Sequence, residues 1–99
     1  MDRSSLIDGI QRRAAVLRAF VAPDGSLTSM PVKTAKRRVV LDHVAQAFAI
    51  GQTWPEAEVN DILRPFHPDV AMLRRYLVDE EFLERRDGRY WRSGGTTDV

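Results

Sequence analysis

Arginine is the residue type that offers most of the chemistry in the C-terminal third of this chain. Arg75 lies within an apolar pattern that covers residues 68 to about 80, and three more arginines surround Asp87-Gly88: Arg85, Arg86 and Arg89. A guanidinium can bind guanine O6 and N7 through paired hydrogen bonds, which gives about 1–3 kcal/mol of discrimination between bases. It can also bind phosphate oxygens. The pattern therefore indicates a DNA-binding surface if one helix and one hairpin present it together.

The segment from residue 68 to about 80 predicts the helix that would enter the major groove. Val70, Leu73 and Leu77 recur at i, i+3 and i+7, which makes one apolar stripe for burial. At about 100° per residue, the opposite face presents four side chains: Ala71, Met72, Arg75 and Asp79. The first three of these are the candidate base contacts, and Arg75 is the main one.

Arg74 lies beside the buried stripe, so two interpretations of it stay open. It can join Arg75 at the DNA, because both guanidinium groups would lie close to the same groove. Alternatively, it can pair with a carboxylate of the preceding helix, and that helix offers three: Glu56, Glu58 and Asp61.

Three carboxylates at the end of the predicted recognition helix count against DNA: Asp79, Glu80 and Glu81. They repel phosphate, and they also oppose the helix dipole at its C-terminal end. Three arginines are candidates to neutralise them: Arg85, Arg86 and Arg92. Without that neutralisation, this surface suits a basic protein partner better than DNA.

Residues 82–92 predict a two-stranded hairpin that would serve as the wing. Asp87-Gly88 separates two strand-like runs, and a type I′ turn needs positive φ at both central positions. Wing arginines at positions 85, 86 and 89 would contact phosphates or a narrow minor groove. The alternative is an edge hairpin that its charges keep from aggregating. Tyr90 and Trp91 should face opposite sides, one of them in the core.

A second basic cluster lies at the start of the helix predicted over residues 33–50. It contains four cations: Lys33, Lys36, Arg37 and Arg38. Free backbone N–H groups and cations at one helix start favour a phosphate, so Lys33, Lys36 and Arg37 are candidate DNA-backbone contacts. A solvated basic turn is the equally open alternative.

The remaining patterns predict the elements that must hold these side chains. Apolar residues at helical spacing predict an N-terminal helix, Ser26–Met30 predicts a short edge strand, and Gly51 is placed to end the 33–50 helix in a left-handed conformation. Thr53 and Glu56 have the spacing of a capping box for a helix that Pro65 should end. The fold class is therefore α+β and mostly helical. It is a winged helix-turn-helix with an N-terminal helix, a short strand, three helices and a two-stranded wing.

Composition limits the possible functions. The chain has 99 residues, no cysteine and a net charge of +1, so thiolate chemistry is excluded and DNA binding requires positive charge gathered on one face. His43 and His67 lie on different elements and lack a nucleophile or metal-ligand pattern, so we expect no enzyme, metal or cofactor. No apolar run approaches the roughly 18 residues of a membrane span. We expect one cytoplasmic domain over residues 1–92 and a flexible tail over 93–99.

Several strings support a family resemblance from about Leu17 to Arg92, three quarters of the chain. They are Met30-Pro31-Val32-Lys33, the helix 36–48, Trp54-Pro55-Glu56-Ala57-Glu58-Val59-Asn60-Asp61-Ile62-Leu63, Phe66-His67-Pro68-Asp69, Leu73-Arg74-Arg75-Tyr76-Leu77-Val78-Asp79, Phe82-Leu83-Glu84-Arg85 and Tyr90-Trp91-Arg92. In these the chain resembles a small bacterial domain family of uncharacterised function. That family occurs alone or fused to transcriptional regulators of the arsenical-repressor type. The resemblance implies a winged-helix-like fold and DNA-linked regulation. Pro65 and Glu81 depart from the family pattern, and Glu81 stands where a glycine commonly ends the recognition helix.

Two functional hypotheses follow. In the first, the protein is a DNA-binding transcriptional regulator that binds double-stranded DNA as a homodimer. Four apolar residues of the N-terminal helix would form the dimer interface: Leu6, Ile7, Ile10 and Leu17. In the second, it is a protein–protein interaction module on a winged-helix scaffold that does not bind DNA. A winged-helix fold serves both roles, so the fold alone does not decide between them.

Overall fold

The structure is a computed structural model that describes residues 3–97, with side chains from residue 6 onward. The chain divides between residues 40 and 41 into two compact units, whereas the sequence predicts one domain over residues 1–92. The division falls within the second helix, α2, which covers Thr34–Ala45.

The first unit contains helix α1, Arg3–Phe20, and the start of α2. Between them, the Asp24 carboxylate accepts hydrogen bonds from the Ser26 amide at 3.0 Å and from the Ser26 hydroxyl at 2.7 Å. These bonds, the one from the hydroxyl first, hold the pKa of Asp24 below its usual value. The prediction of an edge strand over Ser26–Met30 is wrong, because the segment makes only one isolated bridge, between Val21 and Leu27.

The second unit has the order of elements of a winged helix-turn-helix. After the end of α2 come β1 Thr53–Pro55, α3 Glu56–Leu63, α4 Val70–Asp79, β2 Leu83–Arg86 and β3 Arg89–Arg92. The strands form an antiparallel sheet in the order β1-β3-β2. The predicted α+β fold and winged-helix-like layout are confirmed. The short strand, however, lies after α2 and not before it.

β1 occupies the segment where the sequence predicts a capping box. Pro55 is the residue that caps α3, without a side-chain hydrogen bond. The Thr53 hydroxyl accepts a hydrogen bond from Arg89 Nε at 3.0 Å, so it does not cap the helix. A three-residue edge strand tolerates Pro55 because its outer side requires no backbone donor. The prediction of a capping box is therefore wrong, although the predicted helix does follow and begins at Glu56.

The core of the second unit is apolar and continuous through helices and sheet. Its fully buried side chains come from every element of the unit except β1: Leu41, Val44, Phe48, Val59, Leu63, Leu73, Leu77, Leu83 and Tyr90. α2 ends at Ala45, earlier than predicted, and Phe48 continues the core from the following turn. Gly51 has φ of 86°, the left-handed conformation predicted for it, but it lies beyond the turn that follows α2 and so does not end that helix.

The joint between α4 and β2 is a Schellman turn that has glutamate in the glycine position. The amide of Phe82 donates to the carbonyl of Leu77 at 2.8 Å, and the amide of Glu81 donates to that of Val78 at 3.1 Å. This pair of bonds defines the motif. Glu81 has φ of 66°, so it adopts the left-handed conformation at the position where the family resemblance places a glycine.

Replacing Glu81 with glycine should stabilise the protein. A non-glycine residue in the left-handed region costs about 1–2 kcal/mol, and the greater freedom of glycine in the unfolded chain offsets part of this gain. We expect the free energy of unfolding to rise by about 1 kcal/mol. Urea denaturation monitored by circular dichroism measures it. Glu84→Gly, at an exposed strand position in the hairpin, should instead destabilise. Equal effects of the two variants would contradict the assignment of strain to Glu81.

Residues 93–96 are hydrogen bonded to the body of the second unit, although the sequence predicts a flexible tail over 93–99. The buried Asp42 carboxylate accepts from the Thr96 amide and from the Thr96 hydroxyl, each at 2.7 Å. The carbonyl of Thr96 accepts from Gln46 Nε2 at 2.8 Å. The prediction is therefore wrong for these four residues. Residues 98 and 99 lie outside the described part of the chain.

Candidate nucleic-acid interface

The outward face of α4 is the one that the sequence predicts. The Asp69 side chain caps the helix by accepting from the Met72 amide at 3.0 Å. Leu73 and Leu77 are fully buried, whereas Ala71, Arg75 and Asp79 are exposed. Val70 and Met72 are half-buried, so the apolar stripe is wider at the N-terminal end of the helix than the spacing indicates.

Arg74 and Arg75 are neighbours with different roles. Arg74 Nε lies 3.6 Å from Glu56 Oε1, and another guanidinium nitrogen of Arg74 donates to Asn60 Oδ1. The ion-pair interpretation of Arg74 is therefore confirmed, and its side chain is only 20% exposed. Among residues 3–97, by contrast, Arg75 makes no hydrogen bond, ion pair or ring contact, so its guanidinium stays available for an external acceptor.

The wing turn has the predicted type I′ signature, because Asp87 and Gly88 have φ of 52° and 76°. Arg86 lies at this tip with 83% of its side chain exposed, and the nearest carboxylate, that of Asp87, is 3.9 Å away. Two exposed charges at that distance bind each other weakly. Arg89 is held more firmly, by the Thr53 hydroxyl and, at 3.3 Å, by the Thr53 carbonyl. Arg86 is therefore the more available of these two wing arginines.

Tyr90 connects the wing to α3. Its ring is buried in the core and its hydroxyl donates to Glu56 Oε1 at 2.7 Å. Burial, followed by the hydrogen bond to Glu56, raises the pKa of Tyr90. The same hydrogen bond, followed by the charge of Arg74, lowers the pKa of Glu56. Arg85 lies over the Tyr90 ring, 5.7 Å from its centroid. Trp91 faces the other side, half-buried, and donates to Glu84 Oε2 at 2.9 Å.

The raised pKa of Tyr90 predicts a loss of stability at high pH. A group whose pKa is higher in the folded state stabilises the fold below its unfolded pKa of about 10, and this contribution is lost as pH rises through the folded value. Absorbance at 295 nm should therefore show a tyrosinate transition above pH of about 10 that Tyr90→Phe removes. Tyr76→Phe is the matched control. Loss of this high-pH transition in Tyr76→Phe but not in Tyr90→Phe would contradict its assignment to Tyr90.

A cleft of about 260 Å³ separates α4 from the hairpin. Three arginines line it, Arg74, Arg75 and Arg85, together with one carboxylate, Asp79. We call it the joint cleft. The sequence places these residues on neighbouring elements, but it does not indicate that they share one concave surface.

Two of the carboxylates at the end of α4, Asp79 and Glu81, are exposed. Arg92, one of the candidates to neutralise this acidic end, donates instead to three backbone carbonyls: Phe48, Gly94 and Thr96. It is therefore a structural residue of the second unit. Of the candidate neutralisers, Arg85 shares the joint cleft with Asp79.

The cluster at the start of α2 combines exposed lysines with a structural arginine. Lys33 and Lys36 are exposed. Arg37 donates to the Val32 carbonyl at 2.9 Å and to the Thr34 hydroxyl at 3.3 Å, so it contributes to holding the turn. The phosphate role predicted for Lys33, Lys36 and Arg37 stays a prediction, and the two lysines are its more available members.

Three of the four apolar residues predicted at a dimer interface are exposed on α1. Leu6, Ile7 and Ile10 are 56%, 49% and 59% exposed. Leu17 is half-buried, so it offers less surface than the others. Exposing adjacent apolar side chains to water costs free energy, and patches of this kind often mark interfaces.

Both histidines have identifiable structural contacts. His67 Nδ1 accepts from the Asp69 amide at 2.9 Å, just before α4. The His43 ring packs edge-on against Phe66, with 6.2 Å between centroids. Within the described residues, no group of three or more histidine, aspartate or glutamate side chains could hold a metal ion. In the same part of the chain, no helix combines the length and apolarity that crossing a membrane requires.

The model of one protein family matches residues 26–92, which is more than half of the chain. That family is described as "Uncharacterized protein conserved in bacteria (DUF2087)". Neither the curated proteins nor the solved structures contain a significant match to the chain.

Proposed function

This chain belongs to the bacterial family DUF2087, and we propose that it is a DNA-binding transcriptional regulator of the winged-helix type. α4 would enter the major groove, and the β2–β3 wing would contact the backbone. A regulator of bacterial transcription would act in the cytoplasm. The resemblance implies that related domains occur fused to regulators of the arsenical-repressor type, and this expectation supports the role.

One observation carries the proposal: Arg75 is exposed, without a partner in the described chain, in the middle of the outward face of α4. An unpaired guanidinium on the outward face of a helix in a winged-helix layout is suited to contact a base edge. The exposed Arg86 at the wing tip supports the proposal, because a second cation on the hairpin can fix the orientation of the duplex through its phosphates.

The test is selection from a random duplex library with the purified protein, followed by fluorescence anisotropy on the selected duplex at several salt concentrations. We expect one enriched sequence. Its log K should fall linearly with log salt, with a slope of about −0.9 for each phosphate contacted. An unenriched library would contradict base recognition, and a flat salt response would contradict phosphate contact.

A homodimer through α1 is part of this proposal, because Leu6, Ile7 and Ile10 place three exposed apolar side chains within two turns. Ile10→Glu should weaken self-association at least about tenfold, since a charge would be buried at the interface. Sedimentation equilibrium measures this change. Val32→Glu is the control, because it adds the same charge at a site that is 92% exposed. A monomeric wild type, or equal effects of both variants, would exclude this interface.

The second candidate function is a protein-interaction module, which the exposed acidic end of α4 favours. Asp79→Asn distinguishes the two functions because it removes one negative charge. DNA binding should become tighter, whereas binding of a basic peptide to the same surface should become weaker. A lysine- and arginine-rich peptide array and the selected duplex therefore serve as paired probes of the wild type and this variant.

A further inference from the structure

Two of the three arginines of the joint cleft make contacts that favour one position of the side chain. Arg74 is fixed by the Glu56 carboxylate and by Asn60, and Arg85 is placed over the ring of the buried Tyr90. A guanidinium that is already positioned loses less conformational entropy when it binds an anion. Fixed cations in a concave surface are thus a better anion site than cations on freely moving side chains.

The third arginine of the cleft supplies unsatisfied donors. Arg75 has no partner within residues 3–97, and it lines the same cleft as Arg74 and Arg85. Glu56 offsets the charge of Arg74, and Asp79 is the one carboxylate in the lining. The cleft therefore keeps an excess of one positive charge, with the donors of Arg75 and Arg85 available to an incoming group.

The size and the donors of the cleft select the class of ligand. Its volume of about 260 Å³ is below the range of roughly 300–1,000 Å³ found for drug-sized ligands, so it suits a small group. Planar guanidinium forks match the spacing of phosphate oxygens and can bind them through two parallel hydrogen bonds. A phosphate group satisfies the available donors and neutralises the excess charge.

We propose that the joint cleft binds a phosphate group, which is either a backbone phosphate of DNA or the phosphate of a small free phosphoester. This inference goes beyond the proposed function, because inorganic phosphate alone suffices to test it. In both cases Arg85 contacts the phosphate oxygens, Arg74 supplies positive charge, and Asp79 limits the affinity by repulsion. Arg75 contacts the oxygens of a free phosphate, whereas on a duplex its guanidinium contacts the base edge.

The experiment titrates inorganic phosphate into the ¹⁵N-labelled full chain and follows the arginine Nε–H signals by NMR. The signals of Arg75 and Arg85 should shift saturably. Arg85→Met should weaken binding about tenfold through loss of a charge-assisted contact, and Asp79→Asn should strengthen it several-fold. Arg18→Met is the matched control, because Arg18 is an exposed arginine of α1 that does not line the cleft, and it should leave phosphate binding unchanged.

The variants also remain interpretable if one of them folds poorly. Arg85 is exposed, so its replacement should preserve the melting temperature. Asp79→Asn tests the cleft independently, through a gain of affinity that unfolding cannot produce. Absence of saturable shifts in the wild type, or equal loss in Arg85→Met and Arg18→Met, would overturn the proposal.

A second set of titrations, with the selected duplex present, distinguishes the two sources of phosphate. Displacement of inorganic phosphate by the duplex, together with weaker duplex binding by Arg85→Met, assigns the cleft to the DNA backbone. Phosphate that stays bound beside the duplex assigns it to a free phosphoester. Duplex binding without phosphate binding would overturn the phosphate site in the joint cleft but not the proposed DNA-binding function. Phosphate binding without any duplex binding would overturn the DNA-binding function but not the phosphate site.

Discussion

Replacing Arg75 with alanine should remove the preference of the protein for its selected duplex. The affinity for that duplex should fall by about 5- to 150-fold. The range corresponds to the 1–3 kcal/mol that one paired guanidinium–base contact contributes. Arg75 is exposed and makes no hydrogen bond, ion pair or ring contact within the described chain, so the substitution removes no such internal interaction. Alanine is the best helix former, so α4 should stay intact and the melting temperature should not fall.

Arg86→Ala is the informative comparison, because Arg86 carries the same charge at the wing tip. If it contacts a phosphate, its removal should weaken all duplexes to a similar degree and make the salt slope less steep by about 0.9. Arg18→Ala is the neutral control, since it removes an equal charge from an exposed position of α1. Competition anisotropy with the selected and a scrambled duplex measures all three variants.

The contrast between selected and scrambled duplex decides the role of α4. Loss of discrimination in Arg75→Ala, with discrimination retained in Arg86→Ala, would support base contact by α4 and phosphate contact by the wing. Parallel loss on both duplexes in the two variants would mean that Arg75 also binds phosphate and that α4 does not read sequence. An Arg75→Ala variant that binds and discriminates like the wild type would contradict the assigned recognition residue.

The features that could be predicted from the sequence are those that nearby residues determine. Asp87-Gly88 indicates a type I′ turn because both positions must adopt positive φ, and the turn is present. Leu73 and Leu77 recur at helical spacing, so the buried and outward faces of α4 follow from geometry alone. The left-handed conformation of Glu81 agrees with the family resemblance, which places a helix-ending glycine at this position.

The contacts that order the candidate site join distant parts of the chain, so spacing could not reveal them. Tyr90 and Glu56 are 34 residues apart, and Arg89 and Thr53 are 36 apart. The sequence offers Glu56 as one of three possible partners for Arg74, and only the packing of α3 against α4 selects it. The joint cleft depends on the same packing.

Local signals were misleading where a tertiary contact competed with them. Thr53 and Glu56 have capping-box spacing, but antiparallel pairing of Thr53 with Trp91 makes the segment a strand. A three-residue strand is too short to show the alternation of apolar and polar residues that indicates a strand, so the sequence contains no pattern that argues against a helix there. The C-terminal segment has few apolar residues and therefore resembles a flexible tail, but the buried Asp42 carboxylate accepts hydrogen bonds from Thr96.

Gly94→Ala should destabilise the protein by about 1–3 kcal/mol, the cost of forcing an extra methyl group into a packed site. A Cβ at this position would overlap the backbone carbonyl oxygen of Glu81 and contact Phe82 Cα at 3.5 Å. Both obstacles are backbone, so rotation of a side chain cannot relieve them. The segment must move away, which weakens the hydrogen bonds from the Ser93 and Gly94 amides to the Phe82 carbonyl, now 3.0 and 3.2 Å long.

Gly9→Ala is the matched control and should have the opposite sign. Gly9 lies within α1, where an added Cβ meets nothing within 4 Å, so alanine should stabilise by about 0.5–1 kcal/mol through helix propensity. Urea denaturation of both variants measures the two effects. Because Glu81 and Phe82 form the joint between α4 and the wing, Gly94→Ala should also weaken duplex binding under conditions where the variant remains folded. A Gly94→Ala variant as stable as the wild type would show that the C-terminal segment does not pack against this joint in solution.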